Sequence, residues 1–103
     1  MISLDRIIEA HKKIAPHVNY TPLVYSDFLS QNRTVKLKLE SLQITGSFKL
    51  RGAMNKLLSL SEEQKNRGVI AVSTGNHGKG VAYASSLLGI KSTIYMSSMV
   101  PQY

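Results

Sequence analysis

The sequence predicts an α/β fold in which a helix and short strands lead into a parallel βαβ unit. Three observations carry that prediction. Val69 to Ser73 reads as a short buried strand; a glycine-bearing turn, a helical pattern and a second strand over 92–96 follow it in the order of a parallel crossover. Leu4, Ile7, Ile8, His11 and Ile14 recur at helical spacing. Lys36 and Lys38 alternate with Val35, Leu37 and Leu39, which is the period of a strand with lysines on its outer face.

Taken in order, residues 4–14 form an amphipathic helix closed by Pro16, with His11 read as a packed core histidine rather than a ligand. Thr21-Pro22 favours extended backbone before Leu23. Ser26 is placed to cap a short helix through Leu29 or Ser30, with Gln31-Asn32 as the turn into a strand over 34–39. Gly46 to about Leu60 reads as a loop-to-helix unit with Met54, Leu57 and Leu58 turned inward. Ser61-Glu62-Glu63-Gln64 is a capping box and starts a short helix that ends near Gly68. After strand 69–73, a helix over 77–88 carries Val81, Ala82, Ala84, Ser85, Leu87 and Leu88 and is closed by Gly89.

Composition narrows the function. A hydrophobic fraction of 43% with scattered charge describes a globular chain. The net charge of +7 invites a nucleic-acid partner, but the basic residues are dispersed and no run reaches about 5 residues, so none is expected. No apolar run approaches about 18 residues, and Met1-Ile2-Ser3-Leu4-Asp5 lacks a charged-then-apolar signal pattern, so a soluble, cytoplasmic protein is expected. There are no cysteines, and His11, His17 and His77 show no metal-ligand spacing.

Two stretches carry chemistry. In Gly46-Ser47-Phe48-Lys49-Leu50-Arg51-Gly52-Ala53, the glycine allows a tight bend and Ser47 is a candidate N-cap, which sets Lys49 in the first helical turn. The helix dipole and burial would both lower the lysine pKa there, and a neutral amine is what Schiff-base chemistry requires. In Thr74-Gly75-Asn76-His77-Gly78, a glycine-bearing turn at the carboxyl end of a strand opens a helix, a nest of N–H groups suited to an anion. Each stretch alone is equally compatible with a plain reading: a surface lysine, and a turn that binds nothing.

Together, with Asn19-Tyr20-Thr21-Pro22-Leu23, Lys36-Leu37-Lys38-Leu39-Glu40, Thr45 to Ala53 and Ser73 to Gly78 in this order, they give a chain that resembles the pyridoxal-phosphate enzymes of the threonine dehydratase and serine racemase family. The resemblance implies the tryptophan synthase β-like fold (fold type II), a three-layer parallel-sheet architecture, and pyridoxal 5'-phosphate as cofactor. It implies that Lys49 forms the Schiff base with the cofactor and moves the substrate α-proton, that Phe48 packs beside the cofactor, and that Asn76 bonds the ring oxygen. Ser73, Thr74, Gly75, Asn76 and His77 would hold the substrate carboxylate. The implied reaction is dehydration and deamination of a β-hydroxy amino acid, L-threonine or L-serine, to a 2-oxo acid and ammonia, by an enzyme that is a homodimer at full length.

Thr74 departs from the commoner patterns, which resemble this loop with alanine in dehydratases and a serine base in racemases. STGNHG followed by Met96-Ser97-Ser98-Met99-Val100-Pro101 looks most like the hydroxyectoine-utilisation dehydratases. Arg51 is read as a structural ion pair or helix-surface contact in preference to a cofactor-phosphate ligand, and Glu40 as a solvated or paired strand-end carboxylate. The resemblance further implies that residues 1–103 are the N-terminal portion of a two-domain enzyme, about 1–60 opening the large domain and about 61–103 the small one. The glycine-rich phosphate loop would lie beyond Tyr103, Pro101-Gln102-Tyr103 falls where the next helix would begin, and these residues alone would be inactive. Two further readings stay open, a non-catalytic remnant and a small anion-binding domain.

Overall fold

The computed structural model describes residues 1–99. Val100 and Pro101, which end one of the motifs above, and the Pro101–Tyr103 terminus lie outside the described residues. The first helix, α1 (Leu4–Ile14), starts on Ser3, whose Oγ accepts the Arg6 N–H at 3.4 Å, and carries Asp5 in its first turn and His11, Lys12 and Lys13 in its last. Those charges suit the two ends of the helix dipole. A 3-10 turn over Ala15–His17 continues it, because Pro16 fits the first turn of a helix and stops only what lies further on. Burial is confined to the C-terminal end of α1, at Ile14. Leu4, Ile7 and Ile8 are exposed, and His11 is exposed rather than packed in the core. The apolar stripe is present, but only its last residue is buried.

Leu23–Tyr25 (β1) and Lys36–Lys38 (β2) form an antiparallel pair, with Leu23 opposite Lys38 and Tyr25 opposite Lys36. Between them, Ser26 Oγ accepts the Leu29 N–H at 3.4 Å, yet residues 27–29 make a turn and not the expected short helix. The Ser30 hydroxyl already bonds both backbone groups of Val35, which draws the chain back toward β2.

Helix α2 (Lys49–Leu58) buries Leu50, Ala53, Met54 and Leu57, one face at i, i+3, i+4 and i+7. Helix α3 (Glu62–Arg67) has the full capping box at Ser61 and Gln64 and ends at Gly68, whose φ is +83°. Strand β3 (Val69–Val72) pairs in parallel with β4 (Ser92–Tyr95) through α4 (Asn76–Leu87), as the βαβ reading requires. Val69, Ala71 and Ile94 pack against a core of Ile14, Leu50, Ala53, Met54, Leu57, Val81, Ala84 and Ile90. Strand β3 is covered on one side only: Ile70 is 73% and Val72 80% exposed, in place of the fully buried strand expected. Alternate residues of a strand face opposite sides, and α4 covers one of them. Helices α2 and α4 meet closely at Gly80, where an added Cβ would lie 3.2 Å from the carbonyl carbon and oxygen of Lys49.

Candidate functional site

The site is built around the start of α2. Gly46 turns the chain at φ +74°, and its N–H donates to the Gln43 carbonyl at 2.8 Å. Ser47 Oγ accepts the Lys49 N–H at 3.3 Å, the capping contact expected, although regular helix begins one residue later than a Ser47 cap would place it. Leu50, Ala53, Met54 and Leu57 fill the core side of α2, and Lys49 lies at the flank of that face, on the groove that Ala53 and Leu57 also line. The expectation of a buried lysine is therefore corrected: Lys49 is exposed, its Nζ 4.8 Å from the centroid of the Phe48 ring.

A groove of about 460 Å³ opens between α2, β3 and α4, walled in part by Phe48, Lys49, Lys56, Val69, His77 and Val81. The structure thus brings Lys49, Phe48 and His77 to one concavity. Ser73, Thr74, Gly75 and Asn76 are not in its walls; they form the loop that leads into His77. Lys56, two helical turns along α2 from Lys49, also faces the groove, a position that helical spacing from Lys49 could have identified.

The loop is organised from within. Ser73 Oγ accepts the N–H groups of Gly75 at 3.3 Å and Gly78 at 2.8 Å, so this hydroxyl caps the start of α4. The N–H groups of Asn76 and His77, first in α4, have no acceptor among the described residues. They face solvent at the positive end of a helix of 12 residues, an arrangement that attracts an anion.

Behind Lys49 lies a polar network that the sequence reading did not assemble. Arg51 Nε and Nη2 donate to Glu40 Oε2 at 2.8 Å and Oε1 at 2.7 Å, a two-pronged ion pair. The Thr21 hydroxyl donates to the same carboxylate, Lys38 Nζ donates to the Thr21 carbonyl, and Arg51 Nη2 also reaches Asn19 O at 3.3 Å. The Arg51 guanidinium and the Thr21 hydroxyl hold the Glu40 carboxyl at about 2, well below its ordinary 4.5, against a smaller opposing effect of burial. Arg51 and Glu40 are thus each other's partners, which agrees with the structural reading of both. Among the described residues, no group of three or more His, Asp or Glu is placed to hold a metal ion, and no helix is long and apolar enough to cross a membrane.

Comparison with known proteins bears on this arrangement directly. Residues 14–103 match the family model described as pyridoxal-phosphate dependent enzyme. The chain is 51% identical over 105 residues to the catabolic L-threonine dehydratase TdcB of Staphylococcus aureus (strain USA300), covering 99% of this chain and 30% of that protein. It superposes on maize serine racemase with a TM-score of 0.89 at 38% identity, covering 96% of this chain and 31% of the other. For serine racemase from Dictyostelium discoideum the TM-score is 0.91 at 37% identity, covering 98% and 34%. For the threonine deaminase of T.th. it is 0.80 at 44% identity, covering 92% and 34%. The chain therefore spans about 30% of the length of the curated relatives it matches. An amine and an anion-attracting helix start on one groove, within a stretch that matches the family model from Ile14 onward, have one common explanation: the chain belongs to the pyridoxal-phosphate dependent enzyme family.

Proposed function

We propose that the full protein is a pyridoxal-phosphate-dependent dehydratase (ammonia-lyase) that converts L-threonine or L-serine to a 2-oxo acid and ammonia. The observation that carries this is the Lys49 amine and the first turn of α4 flanking one groove, in a chain 51% identical to a threonine dehydratase. The residues fit the cofactor. A primary amine with an aromatic ring beside it suits an aldehyde-bearing pyridine ring, and the apolar wall of the groove suits the ring face. Bound there, pyridoxal phosphate would supply the electron sink for loss of the α-proton.

In this reading Lys49 Nζ anchors the cofactor and accepts the substrate α-proton. Phe48 packs at the cofactor edge, and the Asn76 amide donates to its ring oxygen. Ser73, Thr74, Gly75, Asn76 and His77 hold the substrate carboxylate: the open N–H groups of Asn76 and His77 donate to it. Ser73 Oγ already accepts two N–H groups, so its own proton is left to donate outward. Departure of the β-hydroxyl as water would leave an enamine, which one water hydrolyses to the 2-oxo acid and ammonia. A narrower reading, a hydroxyectoine-utilisation dehydratase, rests on Thr74 in STGNHG and on the Met96–Pro101 pattern. The proposal includes a cytoplasmic homodimer of two-domain subunits, with residues 1–60 opening the larger domain and 61–103 the smaller.

Borohydride reduction of the full chain with pyridoxal phosphate, followed by peptide mapping, tests the assignment. The expected label is on Lys49, and Lys49→Ala should lose both that label and release of 2-oxo acid from serine or threonine. A label on Lys56 or Lys79 with Lys49 clean refutes the assignment. Cofactor retention with no reducible bond to any lysine favours an anion-binding domain instead.

A further inference from the structure

We infer that Arg51, held by Glu40, is a positioning residue for Lys49. The inference rests on Lys49 being the cofactor lysine. Lys49 sits on a short bridge of chain fixed at both ends. At the upstream end the Gln43 side chain, only 4% exposed, accepts the N–H groups of Asn19 at 2.8 Å and Ile44 at 3.1 Å and donates to Asn19 O at 3.0 Å. Asn19 Nδ2 returns a bond to Leu42 O at 3.2 Å. At the downstream end Arg51 grips Glu40 by two prongs at 2.7 and 2.8 Å, with Thr21, 1% exposed, bonded to the same carboxylate. Both anchors tie to the one segment 19–21.

Between the anchors, residues 44–50 are held by the close approach of Gly80 to the Lys49 and Leu50 backbone and by the burial of Leu50, with the groove side otherwise open. Gly46, Phe48 and Lys49 are exposed, and Gly46 sits at positive φ, where the backbone is least restricted by its own side chain. Core packing at Leu50 fixes how deep α2 lies. Packing of apolar side chains fixes which face α2 buries but leaves the fine rotation of its first turn less constrained, and that fine rotation sets where the Lys49 amine sits. A guanidinium fork on a carboxylate is directional in its plane, so it supplies the missing constraint. A lysine at position 51 would keep the charge and lose the fork.

The test compares Arg51→Lys with Gly68→Ala in the full chain. The latter loses stability at a residue that does not itself line the groove, since an added Cβ at Gly68 would meet Lys91 O at 2.6 Å. For Arg51→Lys the expected result is a fall in kcat of about 10- to 100-fold with KM within about threefold, the loss that goes with misplacement of a reacting group by about 1 Å. The visible circular dichroism of bound pyridoxal phosphate and the rate at which borohydride traps it on Lys49 should change as well. Gly68→Ala should lower the thermal midpoint and leave the dichroism, trapping rate and kcat as in the unaltered chain. If Arg51→Lys shows only that second pattern, the inference is overturned and Arg51 is a stabilising residue alone.

Should Arg51→Lys fail to fold, the double variant Glu40→Leu/Arg51→Met removes both charges together, which cores often tolerate. Folded double variant with altered dichroism and trapping supports the inference; unaltered values overturn it. Failure of both variants to fold also overturns it, because the pair would then be a requirement of the whole core. Borohydride label absent from Lys49 in the unaltered chain would refute the cofactor-lysine reading itself, a result separate from any of these.

Discussion

Replacing Glu40 by glutamine probes the polar network through its pH dependence. The carboxyl side chain is 16% exposed and Arg51 25%, so the pair is largely shielded from solvent. A folded-state pKa of about 2 against an ordinary 4.5 corresponds to about 3 kcal/mol of stability at neutral pH. The bond count gives a similar figure. Two prongs to Arg51 and one bond from Thr21 are charge-assisted, and hydrogen bonds of that kind contribute about 1.5–3 kcal/mol, the shared carboxylate keeping the sum below simple addition. Glutamine keeps the shape and one acceptor but not the charge, so Glu40→Gln should destabilise the full chain by about 2–3 kcal/mol at neutral pH.

The sign of the pH effect follows from the depressed pKa. The contribution of Glu40 is complete above its unfolded pKa and is lost as pH falls toward the folded value, so it fades between about pH 4.5 and 2. By about pH 3 roughly 2 kcal/mol of it should be gone. Urea unfolding of the unaltered chain and of Glu40→Gln, at neutral pH and near pH 3, reads this out as a gap in stability that narrows on acidification. Glu63→Gln is the control. Its carboxylate pairs with Arg67 at 3.4 Å on the open surface, and such a pair adds little. A Glu40→Gln gap of the same size at both pH values would refute the reasoning, since the loss would then come from shape and not from charge.

Three further outcomes are expected. Ser61→Ala removes the hydroxyl that accepts the Gln64 N–H at 3.2 Å and should cost about 1 kcal/mol in thermal or urea unfolding; no loss would mean that the capping box is ornamental to α3. Gly68→Ala combines a φ of +83° with a clash at 2.6 Å against Lys91 O, and should cost about 1–3 kcal/mol, read as a lower thermal midpoint. Asn76→Ala should weaken retention of pyridoxal phosphate by about 1.5–3 kcal/mol, roughly 10- to 100-fold in dissociation constant; unchanged retention on dialysis would remove Asn76 from the cofactor contacts.

Local signals were the legible part of this fold. The capping box at Ser61 and Gln64, the bounds of α1 and α4 and the parallel pairing of β3 with β4 all arise from contacts between near neighbours or from one repeating pattern. Lys49 and the 73–78 loop were legible as helix starts, each with its own turn residues, while their chemical roles belong to the proposal. What the sequence did not disclose is what lies over each face. Periodicity marks Leu4, Ile7, Ile8 and His11 as one stripe of α1, but only the structure shows that burial on that face is confined to Ile14. It marks Lys49 as the start of a helix without saying that the core takes Leu50 and leaves Lys49 outside. The pairing of Glu40 with Arg51 joins residues 11 apart, and Thr21 a further 19 from Glu40 on the other side. Each was visible as a charged or polar residue, yet no spacing rule connects the 3-10 turn that Glu40 opens after β2, a loop hydroxyl and the first turn of a helix.

Leu50 and Lys49 are neighbours in the chain with opposite surroundings, one in the core and one exposed on the groove. Leu50 and Met54 are fully buried and do not line the groove, so the depth of α2 is set in part by apolar packing away from it. One residue before Leu50, the side chain leaves on the groove side, and Gly80 lets the backbone of α4 rest within ordinary reach of the Lys49 carbonyl. The amine and the open N–H groups of Asn76 and His77 are therefore carried by two helices in direct contact, with no flexible loop between their backbones. The proposed reaction, which would move one proton at Lys49 while a carboxylate is held nearby, would benefit from that rigidity, because a fixed separation avoids ordering the groups anew at each turnover. Core and site are thus coupled through the backbone at residues 49 and 50. A core change such as Leu50→Ala should lower stability and disturb Lys49 together, whereas removal of the amine in Lys49→Ala, on an exposed side chain, should abolish chemistry and leave the fold standing.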